Sequence, residues 1–188
     1  MDTNKIVIGV AGMAGSGKSI VVDSARRKGY AVINMGDVIR EETKSRNLEP
    51  NPENMGKVML NLREKGGNAI IAEKCIPKIN QLENGKVIVD GIRSLAEAET
   101  FAKHFPKFTL VAVHSSPQVR FERLNSRARS GDTNKWEIFR ERDMRELSVG
   151  LGNAIAMAEY VLINDQDLRS AEEKAQNLLN RIEKKWKK

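Results

Sequence analysis

The hydrophobic positions of this 188-residue chain fall into five short runs, most of them rich in β-branched residues. Continuous apolar runs of this length are typical of strands that are buried on both faces of a parallel sheet. They predict strands at residues 5–10, 31–34, 87–90, 108–114 and 160–163. Stretches with helical periodicity separate the strands, and the sequence therefore predicts an α/β fold with a parallel sheet covered on both faces.

The helical stretches are predicted at residues 19–28, 37–46, 53–64, 69–82, 96–104, 117–127, 136–147, 153–159 and 167–186. Asp37 is the expected N-cap of the second, Pro77 predicts a kink or a boundary in the fourth, and residues 130–132 predict a turn. The chain is expected to form one domain over residues 1–188. The helical stretches at 37–83 and 117–159 have no intervening strand, so we expect them to be excursions from the sheet.

A glycine-rich loop follows the first predicted strand and precedes the first predicted helix. It matches the pattern G-x-x-x-x-G-K-[ST] at every fixed position, with the residues Gly12, Met13, Ala14, Gly15, Ser16, Gly17, Lys18 and Ser19. In such a loop the backbone N–H groups converge on phosphate oxygens, and the next helix directs its positive dipole end at the same anion. The loop predicts binding of ATP and Mg²⁺, with Lys18 at the β- and γ-phosphates and the Ser19 hydroxyl on the metal.

Asp90 supports the same interpretation from the third predicted strand. It ends that strand, and the carboxyl ends of parallel strands crowd the ligand site in folds of this class. We therefore expect Asp90 to hold the Mg²⁺ directly or through water.

Composition and charge exclude several other classes of protein. The 32 basic and 25 acidic residues give a net charge of +7, which suits ligands that carry phosphate. The single cysteine, Cys75, excludes a disulfide framework and a multi-cysteine metal site. No apolar run approaches the ~20 residues of a membrane span, so we expect a cytoplasmic protein without a membrane partner. With only 5% aromatic residues and no basic stripe between them, nucleic acid is not an expected partner.

Two further segments resemble motifs of the nucleoside monophosphate kinases, adenylate kinase above all. Residues 35–40, Met-Gly-Asp-Val-Ile-Arg, are similar to the Gly-Asp-x-x-Arg acceptor motif of that family, and residues 90–93, Asp-Gly-Ile-Arg, resemble its Asp-Gly-Phe-Pro-Arg. The resemblance implies that Gly36, Asp37, Arg40, Asp90 and Arg93 bind the acceptor, with Arg40 and Arg93 on its phosphate. Guanidinium groups suit that role because they contact phosphate through two nitrogens at once.

An arginine-rich stretch completes the resemblance. It comprises Arg120, Arg123, Arg127, Arg129, Arg140, Arg142 and Arg145. Residues 122–127, Glu-Arg-Leu-Asn-Ser-Arg, resemble the Glu-Arg-x-x-x-Arg at the start of the adenylate kinase lid, which implies that Arg123 and Arg127 close over the transferring phosphates. By this resemblance the acceptor-binding insertion spans about 37–83 and the lid about 117–147.

The resemblance covers nearly the whole chain and is strongest to archaeal ATPases related to adenylate kinase. It implies the P-loop NTPase fold, with the five strands in the order 2-3-1-4-5. Glu97, four residues after Arg93, stands where adenylate kinase has the glutamine that reads the adenine of AMP. Residues 158–164, Ala-Glu-Tyr-Val-Leu-Ile-Asn, are instead similar to a segment of the dephospho-CoA kinases, in which Asn164 would lie by the ATP base.

Three functions are therefore open at the level of the sequence. The first is a P-loop kinase that transfers the γ-phosphate of ATP to a small phosphorylated acceptor, an AMP-like nucleoside monophosphate. The second is kinase chemistry on dephospho-CoA. The third is a regulatory switch that binds ATP or AMP without phosphorylating an acceptor, which would not need Arg40 and Arg93 as a second phosphate clamp.

Overall fold

A computed structural model describes residues 4–127, 134–165 and 167–187. Within these residues, five parallel strands form one sheet in the order β2-β3-β1-β4-β5, so the predicted fold and strand order are confirmed. The strands are β1 (Ile6–Ala11), β2 (Ala31–Asn34), β3 (Lys86–Ile92), β4 (Lys107–His114) and β5 (Tyr160–Ile163).

The helices lie close to their predicted positions. They are α1 (Lys18–Arg27), α2 (Met35–Ser45), α3 (Pro52–Gly66), α4 (Ile70–Gln81), α5 (Leu95–His104), α6 (Pro117–Arg127), α7 (Trp136–Ser148), α8 (Leu151–Ala156) and α9 (Leu168–Trp186). The turn predicted at 130–132 lies outside the described residues.

One local prediction about the helices was wrong. Asn34, not Asp37, is the N-cap of α2, because the Asn34 side chain accepts a hydrogen bond of 2.8 Å from the backbone N–H of Gly36. The helix therefore begins two residues earlier than the sequence indicated. Pro77 lies inside α4, which runs from Ile70 to Gln81. Of the two alternatives predicted at Pro77, a kink or a boundary, the structure excludes the boundary.

The sheet separates two hydrophobic cores. Every residue of the central strand β1 is buried, and successive side chains of a strand point to opposite faces. On one face, Val7, Val87 and Val89 pack with residues of α2, α3, α4, α5 and α8. On the other face, Ile8 and Ile88 pack with α1 and α9. This burial on both faces of the sheet explains why the strands appear in the sequence as unbroken runs of apolar residues.

The carboxyl ends of three neighbouring strands meet at one edge of the sheet. Asp90 of β3 is in register with Val10 of β1 on one side and with Asn34 of β2 on the other. The loop after β1, the start of α2 and the turn after β3 therefore leave the sheet side by side. This edge brings together the three sequence motifs that were singled out above.

A third, smaller cluster joins α6 and α7 to the glycine-rich loop. It consists of Ala14, Leu124 and Phe139, with Phe121 and Trp136 packed against them. None of the described helices is long and apolar enough to cross a membrane.

Candidate functional site

The loop between β1 and α1 is held in shape by residues far away in the sequence. Gly15 has φ +80°, and a Cβ at this position would lie 2.7 Å from the backbone oxygen of Arg120. Gly17, the N-cap of α1, has φ +89°, and a Cβ there would collide with the side-chain amide of Asn164. Only glycine accepts both the left-handed conformation and the close neighbours. Gly17, which is a fixed glycine of the motif, and Gly15, which occupies one of its variable positions, are thus both required by the packing of this chain.

Lys18 begins α1 and reaches back over the loop. Its Nζ donates hydrogen bonds to the backbone oxygens of Gly12, at 2.7 Å, and Met13, at 3.1 Å. Burial lowers the pKa of the Lys18 amine to about 8; the negative charges of Asp90 and Glu146 oppose this shift, and the positive charges of Arg93 and Arg142 add to it. A partly buried cation that two backbone oxygens hold over the loop is well placed to bind phosphate oxygens.

Asp90 lies on β3 within charge-interaction range of Lys18. The strand continues past it to Ile92, so Asp90 does not end the strand as predicted. Burial raises the pKa of its carboxyl group, while Lys18 and Arg93 act in the opposite direction. Its Oδ1 is buried without a hydrogen-bond partner among the described residues. An oxygen of this kind suits Mg²⁺, which prefers carboxylate and water ligands and leaves most of its coordination to phosphate and water.

Ser19, the other predicted metal ligand, is exposed at the start of α1. It lines a cleft of about 400 Å³ together with Gly17, Ile20, Arg123, Asn164 and Leu168. Among the described residues, no group of three or more His, Cys, Asp or Glu side chains has the arrangement of a metal site. A metal at this edge would therefore be coordinated largely by a ligand and by water, with Ser19 and Asp90 as the protein groups.

The predicted base-side residue Asn164 is buried directly behind the loop. Its side-chain amide donates a hydrogen bond of 2.9 Å to the backbone oxygen of Ser16. Its own backbone oxygen accepts a bond of 2.5 Å from Ser115 Oγ, which also accepts a bond of 2.9 Å from Arg123. Arg123 and Asn164 thus face the same cleft as Ser19.

Arg120 supports the loop from α6 and is almost fully buried. Its guanidinium bonds both carboxylate oxygens of Asp143 on α7, at 2.9 and 2.6 Å, and donates to the backbone oxygen of Ala14 at 3.2 Å. It also lies 4.9 Å from the centre of the Phe139 ring. Arg120 is therefore a structural link between α6, α7 and the loop, and its guanidinium is not directed at the cleft.

Arg93, which the sequence predicts to bind an acceptor phosphate, lies close enough to Lys18 for its positive charge to lower the pKa of the Lys18 amine. Its guanidinium contacts Glu146 of α7 at 3.2 Å, and Arg142 contacts the same carboxylate at 3.6 Å. Burial would raise the pKa of the Glu146 carboxyl, but the charges of Arg93, Arg142 and Lys18 outweigh burial and lower it. Glu146 was not singled out from the sequence, because nothing in the local pattern distinguishes it from the other acidic residues of this helix.

The two acceptor motifs, residues 35–40 and 90–93, approach each other closely. A Cβ on Gly91 would lie 3.8 Å from the Cβ of Met35, the first residue of α2. Arg40 itself pairs with Asp37 one turn away on α2, and both side chains are about half exposed. The positive charge of Arg93, in contrast, lowers the pKa of the Lys18 amine. The structure thus places the charge of Arg93 within range of Lys18, whereas Arg40 is exposed and paired with Asp37 on α2.

Glu97 is not available to read a base. It is 1% exposed, and its Oε1 pairs at 2.7 Å with Arg63 of α3, which is itself buried. Its Oε2 accepts a hydrogen bond of 2.7 Å from the backbone N–H of Arg93. The carboxylate therefore fixes the backbone at Arg93, and the Arg63–Glu97 pair links that backbone to the helices inserted between β2 and β3.

Of the remaining predicted residues, Arg127 is exposed at the end of α6. Arg129 lies outside the described residues. Met13 and Ala14 direct buried side chains into the hydrophobic clusters, so only their backbone groups face the site.

The sequence of the chain is similar to those of known proteins. A family model described as "AAA domain" matches residues 11–140, more than half of the chain. A UPF0200 protein of Hyperthermus butylicus is 46% identical over 179 residues, which cover 95% of this chain and 96% of the relative. A UPF0200 protein of Methanocaldococcus jannaschii is 45% identical over 179 residues, with 94% and 90% covered.

Two solved structures share the fold. The shikimate kinase of Bacteroides thetaiotaomicron has a TM-score of 0.64 at 18% identity and covers 93% of this chain and 98% of its own. A gluconokinase of Sinorhizobium meliloti has a TM-score of 0.56 at 17% identity, with 97% and 95% covered. At these identities the likeness concerns the fold alone. The family model and the relatives therefore show that the chain belongs to the AAA-domain family and to the UPF0200 proteins.

Proposed function

We propose that this chain is an ATP-dependent kinase that transfers the γ-phosphate of ATP to a small phosphorylated acceptor, an AMP-like nucleoside monophosphate. The observation that carries the proposal is the position of Arg93. The positive charge of its guanidinium lowers the pKa of the Lys18 amine. Arg93 follows β3 in a turn that lies against the start of α2. A second cationic group beside the phosphate loop provides a place for a second phosphate.

The donor side uses the loop and its metal ligands. Backbone N–H groups of residues 12–19 and the Lys18 amine bind the β- and γ-phosphates. Ser19 and Asp90 hold the Mg²⁺, which neutralises charge on the phosphate oxygens. Asn164, behind Gly17, borders the cleft that we assign to the base of ATP.

The acceptor side lies between the two acceptor motifs. Arg93 binds the acceptor phosphate. Arg40 binds the same phosphate from α2 after its ion pair with Asp37 has broken. Gly36 lets the acceptor approach the start of α2. An ionised phosphate oxygen of the acceptor attacks the γ-phosphorus, the bond from that phosphorus to the β–γ bridging oxygen breaks, and ADP leaves with the electron pair. No proton has to be removed, because the attacking oxygen is already ionised.

The excursions from the sheet take the remaining roles. Residues 37–83 form the acceptor-binding insertion and residues 117–147 the lid of one domain. The lid brings Arg123 and Arg127 to the transferring phosphates and excludes water, which suppresses hydrolysis of ATP. The bond from Arg123 to Ser115 anchors that arginine next to the loop.

Dephospho-CoA is the second candidate acceptor, and the buried carboxylate of Asp90 is the observation that favours it. A hydroxyl acceptor must lose its proton as it attacks, and a buried carboxylate with a raised pKa and an unpaired Oδ1 can take it. The shikimate kinase and gluconokinase of similar fold carry the names of hydroxyl-bearing substrates.

The test is an acceptor screen with purified protein, ATP and Mg²⁺, in which products are separated by chromatography. The acceptors are AMP, CMP, UMP, GMP, dephospho-CoA, shikimate and gluconate, with one arm that contains none, and Lys18→Ala is the blank. A nucleoside diphosphate formed together with ADP supports the proposal. A product from dephospho-CoA alone supports the second candidate. Slow loss of ATP at a rate that no acceptor changes contradicts both kinase candidates and supports a regulatory switch that binds nucleotide.

The clamp is tested separately from the loop. Arg40→Ala and Arg93→Ala should bind ATP normally and lose transfer, whereas Lys44→Ala, at an exposed position of the same helix as Arg40, should retain both. Transfer that survives both arginine substitutions would contradict a phosphorylated acceptor held by these residues.

A further inference from the structure

The guanidinium of Arg93 is paired with an anion from the same chain. Its Nη1 lies 3.2 Å from Oε1 of Glu146 on α7. The Arg93 side chain is 43% exposed, whereas that of Glu146 is 12% exposed, so the arginine stays accessible while the carboxylate is largely withdrawn from water. An anionic ligand that approaches Arg93 therefore meets a guanidinium whose charge Glu146 already neutralises.

Glu146 carries a full negative charge at neutral pH. Burial favours the neutral acid, but the charges of Arg93, Arg142 and Lys18 outweigh burial and lower the pKa of the carboxyl group. Its Oε1 also lies 3.6 Å from Nε of Arg142, one turn earlier on α7. Because of this second contact, the carboxylate keeps a cationic neighbour on its own helix when it separates from Arg93.

The two elements that this ion pair joins are also held by other contacts. The backbone N–H of Arg93 donates a hydrogen bond of 2.7 Å to Oε2 of the buried Glu97. On α7, Asp143 forms its buried pair with Arg120 of α6. Breaking the contact between Arg93 and Glu146 leaves both attachments in place, so this contact can open without unfolding either element.

A phosphate monoester is a stronger partner for Arg93 than a carboxylate is. At neutral pH it carries between one and a half and two negative charges, and a guanidinium can bind it through two nitrogens at once. If the carboxylate stayed beside the phosphate on the same guanidinium, the two negative charges would repel each other. The charge of Glu146 therefore opposes binding of a phosphate to Arg93, whether the carboxylate leaves or stays.

We propose that Glu146 is a built-in competitor of the acceptor phosphate. In the acceptor-free chain its carboxylate neutralises Arg93 and ties α7 to the turn after β3, and an arriving acceptor phosphate displaces it and releases α7 from that turn. The inference rests on the proposed function, from which it takes the role of Arg93. It adds that the affinity for the acceptor is set by an exchange of one anion for another.

The experiment measures binding of AMP, the acceptor probe, to protein saturated with Mg²⁺ and the non-hydrolysable ATP analogue AMPPNP, which fills the loop. Titration calorimetry compares the wild-type chain, Glu146→Gln, Arg93→Ala and the double variant. Removing the competing charge should lower the dissociation constant of AMP about five-fold, the upper end for a partly exposed ion pair. Glu141→Gln, at an exposed position of the same helix, is the matched control and should bind AMP as the wild-type chain does.

Hydrogen exchange of the α7 backbone gives a readout that a purely structural role of Glu146 would not move. In the wild-type chain AMP should speed exchange in α7, because the ion pair with Arg93 opens. In Glu146→Gln the exchange should already be fast, and AMP should add nothing. An α7 whose exchange AMP leaves unchanged or slows in the wild-type chain would contradict the release.

Two calorimetric results would overturn the inference. One is unchanged or weaker binding of AMP to Glu146→Gln, since a carboxylate that only positions Arg93 would be needed for binding. The other is an equal gain from Glu146→Gln when Arg93 is already alanine, because the competition must act through that guanidinium. Glu146→Met is the second variant, should Glu146→Gln fail to fold, and must tighten binding in the same way.

Failure of the proposed acceptor is recognised separately. If AMP does not bind the wild-type chain, the nucleoside monophosphate is the wrong acceptor, and inorganic phosphate replaces AMP in the same titrations. Tighter binding of inorganic phosphate to Glu146→Gln than to the wild-type chain then supports the inference, and equal or weaker binding overturns it.

Discussion

Arg120 and Asp143 form a two-nitrogen, two-oxygen ion pair between α6 and α7, directly beneath the loop that carries Lys18. The two side chains are only 5% and 14% exposed, so the pair is shielded from water. Because Arg120 also holds the backbone oxygen of Ala14, the stability of this part of the fold and the shape of the loop depend on the same guanidinium.

Replacing Arg120 by methionine should therefore destabilise the protein and weaken nucleotide binding together. Leaving Asp143 without its partner is expected to cost about 3–5 kcal/mol in the free energy of unfolding, the usual range for breaking a buried ion pair from one side. Urea unfolding monitored by circular dichroism measures this cost. The double variant Arg120→Met/Asp143→Leu should recover part of it, and a double variant less stable than the single one would contradict the explanation.

Glu97→Gln should affect the acceptor more than ATP. The substitution removes the charge that pairs with Arg63 and loosens the support of the Arg93 backbone. We expect a loss of about 3 kcal/mol in the free energy of unfolding and a several-fold higher KM for the acceptor, with the dissociation constant of ATP unchanged. Glu99→Gln, at an exposed position of the same helix, is the control. Equal changes for acceptor and ATP would show that Glu97 has no special relation to Arg93.

The affinity for ATP should fall as the pH rises above about 8. Burial lowers the pKa of Lys18 to about 8 in the unliganded chain, and bound phosphate must raise that pKa because it favours the charged amine. Below pH 8 the amine is already protonated and binding is at full strength. Above pH 8 a proton must be taken up, so the dissociation constant should rise by up to about ten-fold per pH unit. Calorimetry in buffers of different ionisation enthalpy measures the uptake directly, and an affinity that stays flat between about pH 7.5 and 9.5 would contradict it.

Cys75 should resist thiol reagents until the chain unfolds. Its side chain is fully buried on α4, and burial raises the pKa of the thiol to about 12, so the reactive thiolate is scarce at neutral pH. The rate of labelling by Ellman's reagent should equal the rate of unfolding. In a urea series, this labelling rate should increase at the midpoint of the unfolding transition. Rapid labelling of the native protein would show that α4 opens locally.

The fold and the phosphate loop could be predicted because their signals are local. Unbroken apolar runs arise from strands that are buried on both faces, and the spacing of Gly12, Gly17 and Lys18 follows from the shape of a single loop. The cap of α2 was misplaced because Asn34 and Asp37 are both suitable cap residues, and the choice depends on where β2 ends.

The charged residues of the site could be predicted only in part, because their roles depend on burial. Arg120 and Arg123 look alike in the sequence, yet one is buried against Asp143 and the other lines the cleft. Arg63 and Glu97 are 34 positions apart, and Glu146 meets Arg93 across a still longer separation. No sequence spacing identifies such partners, since the fold alone decides which charges become neighbours.

The support of the loop also has a consequence for synthesis of the chain. The loop at positions 12–19 leaves the ribosome before the residues that support it, because Ala14 is held by Arg120 and Gly17 packs against Asn164. A nascent chain that has been synthesised only as far as residue 19 contains the complete motif but lacks Arg120 and Asn164, which hold the loop in shape. The capacity to bind ATP should therefore arise only after β5 and Asn164 have emerged from the exit tunnel.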